Sequence, residues 1–218
     1  MNTSVTDMLE VYFIAGTQDT DDLPVVLEQA LEAGITCFQF REKGEGSLEG
    51  QPLKLEEMAR RCQALCRRFA VPFIINDNID LAMKLQADGV HVGQDDLSIL
   101  EVRKKVGPQM IVGLSTNTLE QYEKALTATG VDYVGIGPAF QPRSKKDHEK
   151  VMGLDTIKEA MNKGKAIPSV AIGGINETNA ASVWETGVDG LAVVSAVSQS
   201  ENIKESVSHL KKASDFHK

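Results

Sequence analysis

The chain has 218 residues, 42% of them apolar and 25% charged, with 23 Lys and Arg against 31 Asp and Glu and a formal net charge of −8. That length and balance fit one globular domain with a sizeable core and exclude disordered, collagen-like and disulfide-scaffold classes. Net negative charge also excludes a general basic field for nucleic acid or anionic membrane, so any anionic ligand must meet cations gathered locally.

Residues 1–7 have neither the basic start nor the apolar stretch of a signal peptide, and no apolar run approaches the roughly 20 residues that span a bilayer. Eight short β-rich runs then predict strands at Val11–Ile14, Thr36–Phe40, Pro72–Ile75, Gly89–Val92, Met110–Gly113, Tyr133–Ile136, Ser169–Ile172 and Leu191–Val194. Helical spacing fills the gaps, as in Val25, Val26, Leu27, Ala30 and Leu31 before Gly34, or Leu97, Leu100, Val102 and Val106 before Gly107. Nearly continuous apolar strands alternating with helices imply a parallel sheet buried on both faces. Eight such units in about 200 residues fit a closed (β/α)₈ TIM barrel of the α/β class better than an open sheet. The expected organisation is one domain over 1–218, with about 1–10 as an N-terminal extension and about 201–218 as a C-terminal helix and tail. An Asp precedes strands four, six and eight, at Asp88, Asp132 and Asp189. This echo supports an internal repeat, although the habit of Asp to mark turns explains it equally well.

Three cysteines, Cys37, Cys62 and Cys66, form no framework spacing, as expected in a reducing compartment; a cytoplasmic location is expected. Cys62 and Cys66 share a helix face without a third ligand nearby and read as packing residues. His91 lies within strand four and reads as a hydrogen-bonded core histidine, although substrate contact is the competing reading.

Barrels of this kind build their active sites at the C-terminal ends of the strands. There the sequence places Gln39, Arg41 and Lys43 after strand two, Asn76 and Asp77 after strand three, and Gln94, Asp95 and Asp96 after strand four. Ser115 and Asn117 follow strand five, Gly137, Pro138 and Lys145 strand six, Gly173-Gly174 strand seven and Ser195 strand eight. An extended chain points Arg41 and Lys43 one way and Glu42 the other, a pairing suited to an anion with several oxygens. Asp77 and Asp96 from neighbouring strand ends would repel unless a cation or a shared proton held them, and a hard divalent ion completed by substrate phosphates is the simpler remedy. Asn76-Asp77-Asn78 is alternatively a helix cap, and one of Asp95 and Asp96 is expected to cap a helix near Leu97. Gly173-Gly174 and Ser195 occupy the usual phosphate position of these barrels. Two long polar connections, 43–51 and 141–150, leave this same face as candidate lids.

Taken together, Gln39-Phe40-Arg41-Glu42-Lys43, Ile75-Asn76-Asp77, His91-Val92-Gly93-Gln94-Asp95-Asp96, Gly135-Ile136-Gly137-Pro138, Lys145 and Ile172-Gly173-Gly174-Ile175 resemble thiamine-phosphate synthases, from about Tyr12 to about Ser200. The resemblance implies a (β/α)₈ barrel that joins an aminopyrimidine diphosphate to a thiazole phosphate, releasing pyrophosphate with magnesium. It implies that the segment Gln39, Phe40, Arg41, Glu42, Lys43, together with Asn76, Ser115 and Lys145, binds the pyrimidine diphosphate, with Arg41, Lys43 and Lys145 catalytic. Asp77 and Asp96 would hold one Mg²⁺ per site. Gly174, Val194 and Ser195, with the loop residues Pro142, Arg143 and Ser144, would meet the thiazole phosphate. The loop reads Gln141-Pro142-Arg143-Ser144-Lys145 where the family usually has Pro-Thr-x-Thr-Lys, so Pro142 removes a hydroxyl and an N–H that Arg143 would have to replace. Asn117 stands where the family often has His. Small-molecule substrates are the expected partners, without nucleic acid or membrane, and a homo-oligomer is left open. A thiazole tautomerase and a non-catalytic precursor sensor are the competing readings.

Overall fold

The computed structural model describes residues 4–94, 97–141, 151–164 and 167–215. Eight runs dominated by apolar residues become eight parallel strands: β1 (Val11–Ala15), β2 (Cys37–Phe40), β3 (Phe73–Asn76), β4 (Gly89–Val92), β5 (Ile111–Thr116), β6 (Tyr133–Ile136), β7 (Ser169–Ile172) and β8 (Gly190–Val193). Each pairs with the next, and β1 closes on β8 with Val11 opposite Leu191 and Phe13 opposite Val193. The expected (β/α)₈ barrel therefore forms, with β4, β6 and β7 at the expected bounds and the ends of the other strands shifted by at most three residues. The largest shift extends β5 to Thr116, so Ser115 lies within the strand rather than after it.

The helices are α1 (Val5–Met8), α2 (Leu23–Ala33), α3 (Pro52–Arg68), α4 (Ile79–Leu85), α5 (Ile99–Val106), α6 (Leu119–Thr127), α7 (Leu154–Asn162), α8 (Ala180–Trp184), α9 (Ser195–Ser198) and α10 (Ile203–Asp215). Among the described residues no helix is long and apolar enough to cross a membrane. In α2 the Asp22 carboxylate accepts the Val25 N–H, Pro24 occupies the first turn, and Gly34 closes the helix with φ +89°. The start of α5 corrects the sequence reading. Ser98 caps it in a reciprocal box with Glu101, so the helix begins at Ile99 and neither Asp95 nor Asp96 is its cap. That shift in phase buries Val102 between Ile99 and Val106 and leaves Leu97 and Leu100 exposed, at 42% and 66%.

Alternation along the strands sorts the side chains into two cores. Outward residues such as Phe13, Phe38, Phe40 and Phe73 pack beneath the helices, whereas Tyr12, Ile14, Cys37, Ile74, Tyr133, Val170 and Ala192 fill the barrel. Short α1 stoppers the N-terminal end: Met8 and Leu9 join the interior, and the Leu9 carbonyl lies where a Cβ on Gly190 would collide with it. The C-terminal helix α10 packs on α2 and α8. Cys62 and Cys66 are free and buried on α3, and Cys37 is free inside the barrel. Burial pushes all three thiols up, Cys62 to about 12, which leaves them inert at neutral pH.

The Asp echo has a structural meaning. Asp88, Asp132 and Asp189 each accept, through Oδ2, an N–H from the first or second residue of the preceding odd strand: Phe73 at 2.8 Å, Val112 at 2.7 Å and Ser169 at 2.9 Å. Each also donates its own N–H to a carbonyl of that strand. Thr36 is the fourth member, its Oγ1 accepting the Val11 N–H at 2.9 Å. Four two-strand units thus seal their N-terminal ends by one device. Replacing Asp132 or Asp189 with Ala strands a backbone donor, and each variant is expected to lose about 1–3 kcal/mol of unfolding free energy. A urea midpoint unchanged in both would contradict that role.

Candidate active site

Inward alternation delivers Gln39 on β2, Asn76 on β3, His91 on β4 and Ser115 on β5 toward the C-terminal mouth, with Gly135 opposite Ser115 on β6. The hydrogen-bond ladder continues one residue beyond β2, where the Arg41 N–H donates to the Ala15 carbonyl at 3.0 Å, so the alternation persists into the loop. Arg41 and Lys43 then share the inward side, and Glu42 turns away from them. The Glu42 carboxylate accepts from the Thr17 N–H and Oγ1 at 2.7 and 2.8 Å and from the Leu48 N–H at 2.7 Å. It ties the loop after β1 to the loop after β2, leaving it a scaffold for the cations beside it. Phe40, grouped by sequence with the ligand-binding segment, is buried in the outer core against Phe73. Its ring is directed away from the mouth because it alternates with Gln39 and Arg41. Phe40 and Glu42 instead border a cavity of about 220 Å³ between the β2 and β3 ends, with Leu55, Ile75, Asp77 and Leu81.

Alternation alone would send Asp77 outward as well. Its left-handed backbone, φ +58°, turns the chain instead, a conformation that Asp tolerates better than most residues. Asn78, not Asp77, caps α4 by accepting the Leu81 N–H at 3.0 Å. The Asp77 carboxylate is thereby released to meet Lys43, Nζ to Oδ2, at 2.9 Å. With the two side chains 54% and 31% exposed, this pair contributes little to stability. It joins the β2 and β3 rims across the site.

Sequence reading missed the loop after β1 entirely. There Asp19 accepts from the Gly16 N–H at 2.9 Å and from Gln18 Nε2 at 2.7 Å, while Gln18 also donates to the Arg41 carbonyl at 2.8 Å. Burial raises the Asp19 carboxyl, opposed by the Gly16 bond and the Arg41 charge. It also missed Tyr12 and Tyr133, which lie in apolar strands where only their hydroxyls mark them as polar. Inside the barrel Gln39 Nε2 donates to Tyr12 Oη at 2.9 Å, Tyr12 and Tyr133 share a hydrogen bond of 2.7 Å, and His91 bridges Tyr133 and Ser115, each at 2.9 Å. His91 is thus the hydrogen-bonded core histidine that the sequence favoured, with a contact to a predicted site residue in addition.

Across the mouth, Gly173 and Gly174 have φ +102° and +63°. A Cβ on Gly173 would lie 2.5 Å from that of Pro138, and one on Gly174 would lie 2.9 Å from that of Phe140. These glycines let the chain leaving β6 press against the chain leaving β7, so residues 137–141 run along the glycine pair. Val194 is half-buried at the end of β8, and Ser195 is exposed at the first position of α9. Asp96, Pro142, Arg143, Ser144 and Lys145 lie outside the described residues. The structure therefore gathers Gln39, Arg41, Lys43, Asn76, Asp77, Ser115, Gly174, Val194 and Ser195 at the C-terminal ends of the strands.

A closed parallel barrel with cations, a carboxylate and a glycine-lined turn at that end belongs to the (β/α)₈ barrel class, whose active sites lie on that face. Residues 11–197 match the family model described as thiamine monophosphate synthase. The chain is 48% identical over 214 residues to the thiamine-phosphate synthase of Actinobacillus succinogenes, covering 94% of this chain and 97% of the relative. It is 48% identical over 205 residues to that of Listeria innocua, covering 93% and 95%. A solved thiamine phosphate pyrophosphorylase from Pyrococcus furiosus superposes with a TM-score of 0.85 at 31% identity, covering 98% of both chains. The chain belongs to the thiamine monophosphate synthase family.

Burial lowers His91 to about 4 from an ordinary 6.5, so it is neutral in the folded protein at neutral pH. The unfolded chain binds this proton first as pH falls. His91 therefore leaves stability unchanged above pH 6.5 and removes about 3 kcal/mol of it between 6.5 and 4. Unfolding midpoints across that window, compared with those of His91→Gln, are expected to show a flatter acid limb for the variant.

Proposed function

We propose that this chain is a thiamine-phosphate synthase, a transferase that joins 4-amino-2-methyl-5-hydroxymethylpyrimidine diphosphate to 4-methyl-5-(2-phosphooxyethyl)thiazole and releases pyrophosphate. The observation that carries the reading is the rim where Lys43, two residues after Arg41, meets Asp77 across two strand ends. Near-complete mutual coverage with synthases at 48% identity favours this reading over a tautomerase, which expels no pyrophosphate, and over a precursor sensor.

In the reaction the methylene carbon–oxygen bond of the pyrimidine breaks and its electron pair leaves with the diphosphate. The lone pair of the thiazole nitrogen forms the new carbon–nitrogen bond, giving thiamine phosphate. Positive charge on that carbon is spread into the electron-rich aminopyrimidine, so the chain supplies position and charge rather than a nucleophile. Arg41 and Lys43 hold the diphosphate oxygens, and Lys145 joins them from the loop after β6. Gln39, Asn76 and Ser115 orient the pyrimidine. Gly174, Val194 and Ser195 take the thiazole phosphate on backbone N–H groups, with Arg143 and Ser144 supplying what Pro142 lacks.

Magnesium suits this donor set. Lys43 engages only Oδ2 of Asp77, leaving Oδ1 to a cation, and Mg²⁺ is commonly held by one or two carboxylates completed by phosphate and water. Asp77 and Asp96 would hold one ion per site, and the ion, when bound, neutralises charge on the departing diphosphate. Lys43 is the counter-charge of Asp77 and would be released toward the diphosphate were a metal to occupy that carboxylate. A cytoplasmic location accords with three free, buried cysteines.

Pyrophosphate release from the purified chain is expected to need both substrates and Mg²⁺ and to stop with EDTA; turnover unaffected by chelation would overturn the metal assignment. Asp77→Asn and Lys145→Ala are each expected to lower kcat by at least about 10²-fold. Gly174→Ala, strained at φ +63°, is expected chiefly to raise KM for the thiazole phosphate.

A further inference from the structure

The polar chain through the barrel is directional. Gln39 Nε2 carries only hydrogens, so the 2.9 Å contact makes Tyr12 Oη the acceptor. Tyr12 is fully buried and must pass its own hydrogen on. The Cys37 thiol beside it is a weak acceptor, and its hydrogen goes to the Pro72 carbonyl, whereas Tyr133 Oη lies at 2.7 Å. Tyr133 then donates to His91 Nδ1 at 2.9 Å, which puts the ring hydrogen of a neutral histidine on Nε2, facing Ser115 Oγ at 2.9 Å. Ser115 Oγ receives that hydrogen and keeps its own to give. The slot for this arrangement is cut by two glycines: a Cβ on Gly113 would collide with both Tyr133 and His91 Nδ1, and one on Gly135 would press on His91 Cε1 at 3.3 Å.

We propose that this relay holds His91 as the Nε2–H tautomer and thereby fixes Ser115 as a hydrogen-bond donor toward the mouth, making His91 and Tyr133 positioning residues for the ligand group that Ser115 meets. That group is an acceptor: an unprotonated ring nitrogen or a phosphate oxygen, not an amino group. The assignment builds on the function proposed above, but the tautomer is a property of the free protein and is measured without substrate. Head-to-tail bonds polarise one another, so the relay strengthens the last donor as well as orienting it.

Long-range ¹H–¹⁵N spectra of the full chain labelled with ¹⁵N-histidine, at pH 7, are expected to show His91 as the Nε2–H tautomer. An Nδ1–H tautomer would reverse every bond in the relay and overturn the proposal. Tyr133→Phe is expected to shift His91 away from that tautomer and to lower kcat/KM for the pyrimidine diphosphate about tenfold. In a Ser115→Ala background the same change is expected to have no further effect, because the relay acts only through Ser115. A full additional loss there would make Tyr133 merely structural and sink the idea. Should Tyr133→Phe fail to fold, the tautomer of the unaltered chain decides alone. If the unaltered chain lacks turnover, the functional reading fails while the tautomer still tests the relay.

Discussion

The rest of the structure depends on the two-residue period of a closed parallel sheet. With no strand edge and helices on the outside, every strand residue must face either the barrel interior or the outer core, and nothing lies between. Gln39, Arg41 and Lys43 reach one side only because Phe40 and Glu42 take the other. A slip of one residue in β2 would bury both cations beneath α3 and turn Phe40 into the mouth. The Glu42 carboxylate, holding Thr17 and Leu48 at once, is therefore as much a register pin as a loop anchor.

Charge is handled locally rather than by the molecule as a whole. A chain of net charge −8 repels polyanions at a distance, yet the rim gathers two cations, Arg41 in the field of Asp19 and Lys43 paired with Asp77. The left-handed turn at Asp77 brings opposite charges together there. Because the Lys43–Asp77 pair is exposed, separating it costs little. An ion pair that separates at little cost leaves Lys43 available to a ligand that arrives and leaves as diphosphate.

Much of this was legible in the sequence, and the reasons are physical. Strands buried on both faces announce themselves as apolar runs, so all eight were found, and Gly34 marked the end of α2 because only a left-handed residue closes that helix. The Asp echo was visible as a pattern but not as a device, since its purpose lies in backbone N–H groups some 15 to 20 positions away. Thr36 escaped notice because a hydroxyl replaces the carboxylate. The phase of α5 was misread because Leu97 and Leu100 match helical spacing as well as Val102 does, and only the Ser98–Glu101 box fixes where the helix begins. Phe40 was grouped with the site by adjacency, although the alternation that correctly separated Glu42 from the cations places Phe40 with Glu42.

The polar interior was least legible and has the greatest consequence. Burying two tyrosine hydroxyls, an imidazole and an amide within a barrel that hydrocarbon side chains could fill is unfavourable unless each group finds a partner. Here the partners form one line ending at Ser115, so the desolvation cost is offset only while every member is present and aligned. Such a line behaves as a unit: it holds the last hydroxyl more firmly than a serine on an apolar wall could be held. Gly113 and Gly135 contribute by lacking side chains, which no propensity scale would register. The same layer that fills the barrel therefore also sets the chemistry of its mouth, and packing and function cannot be assigned to separate residues there.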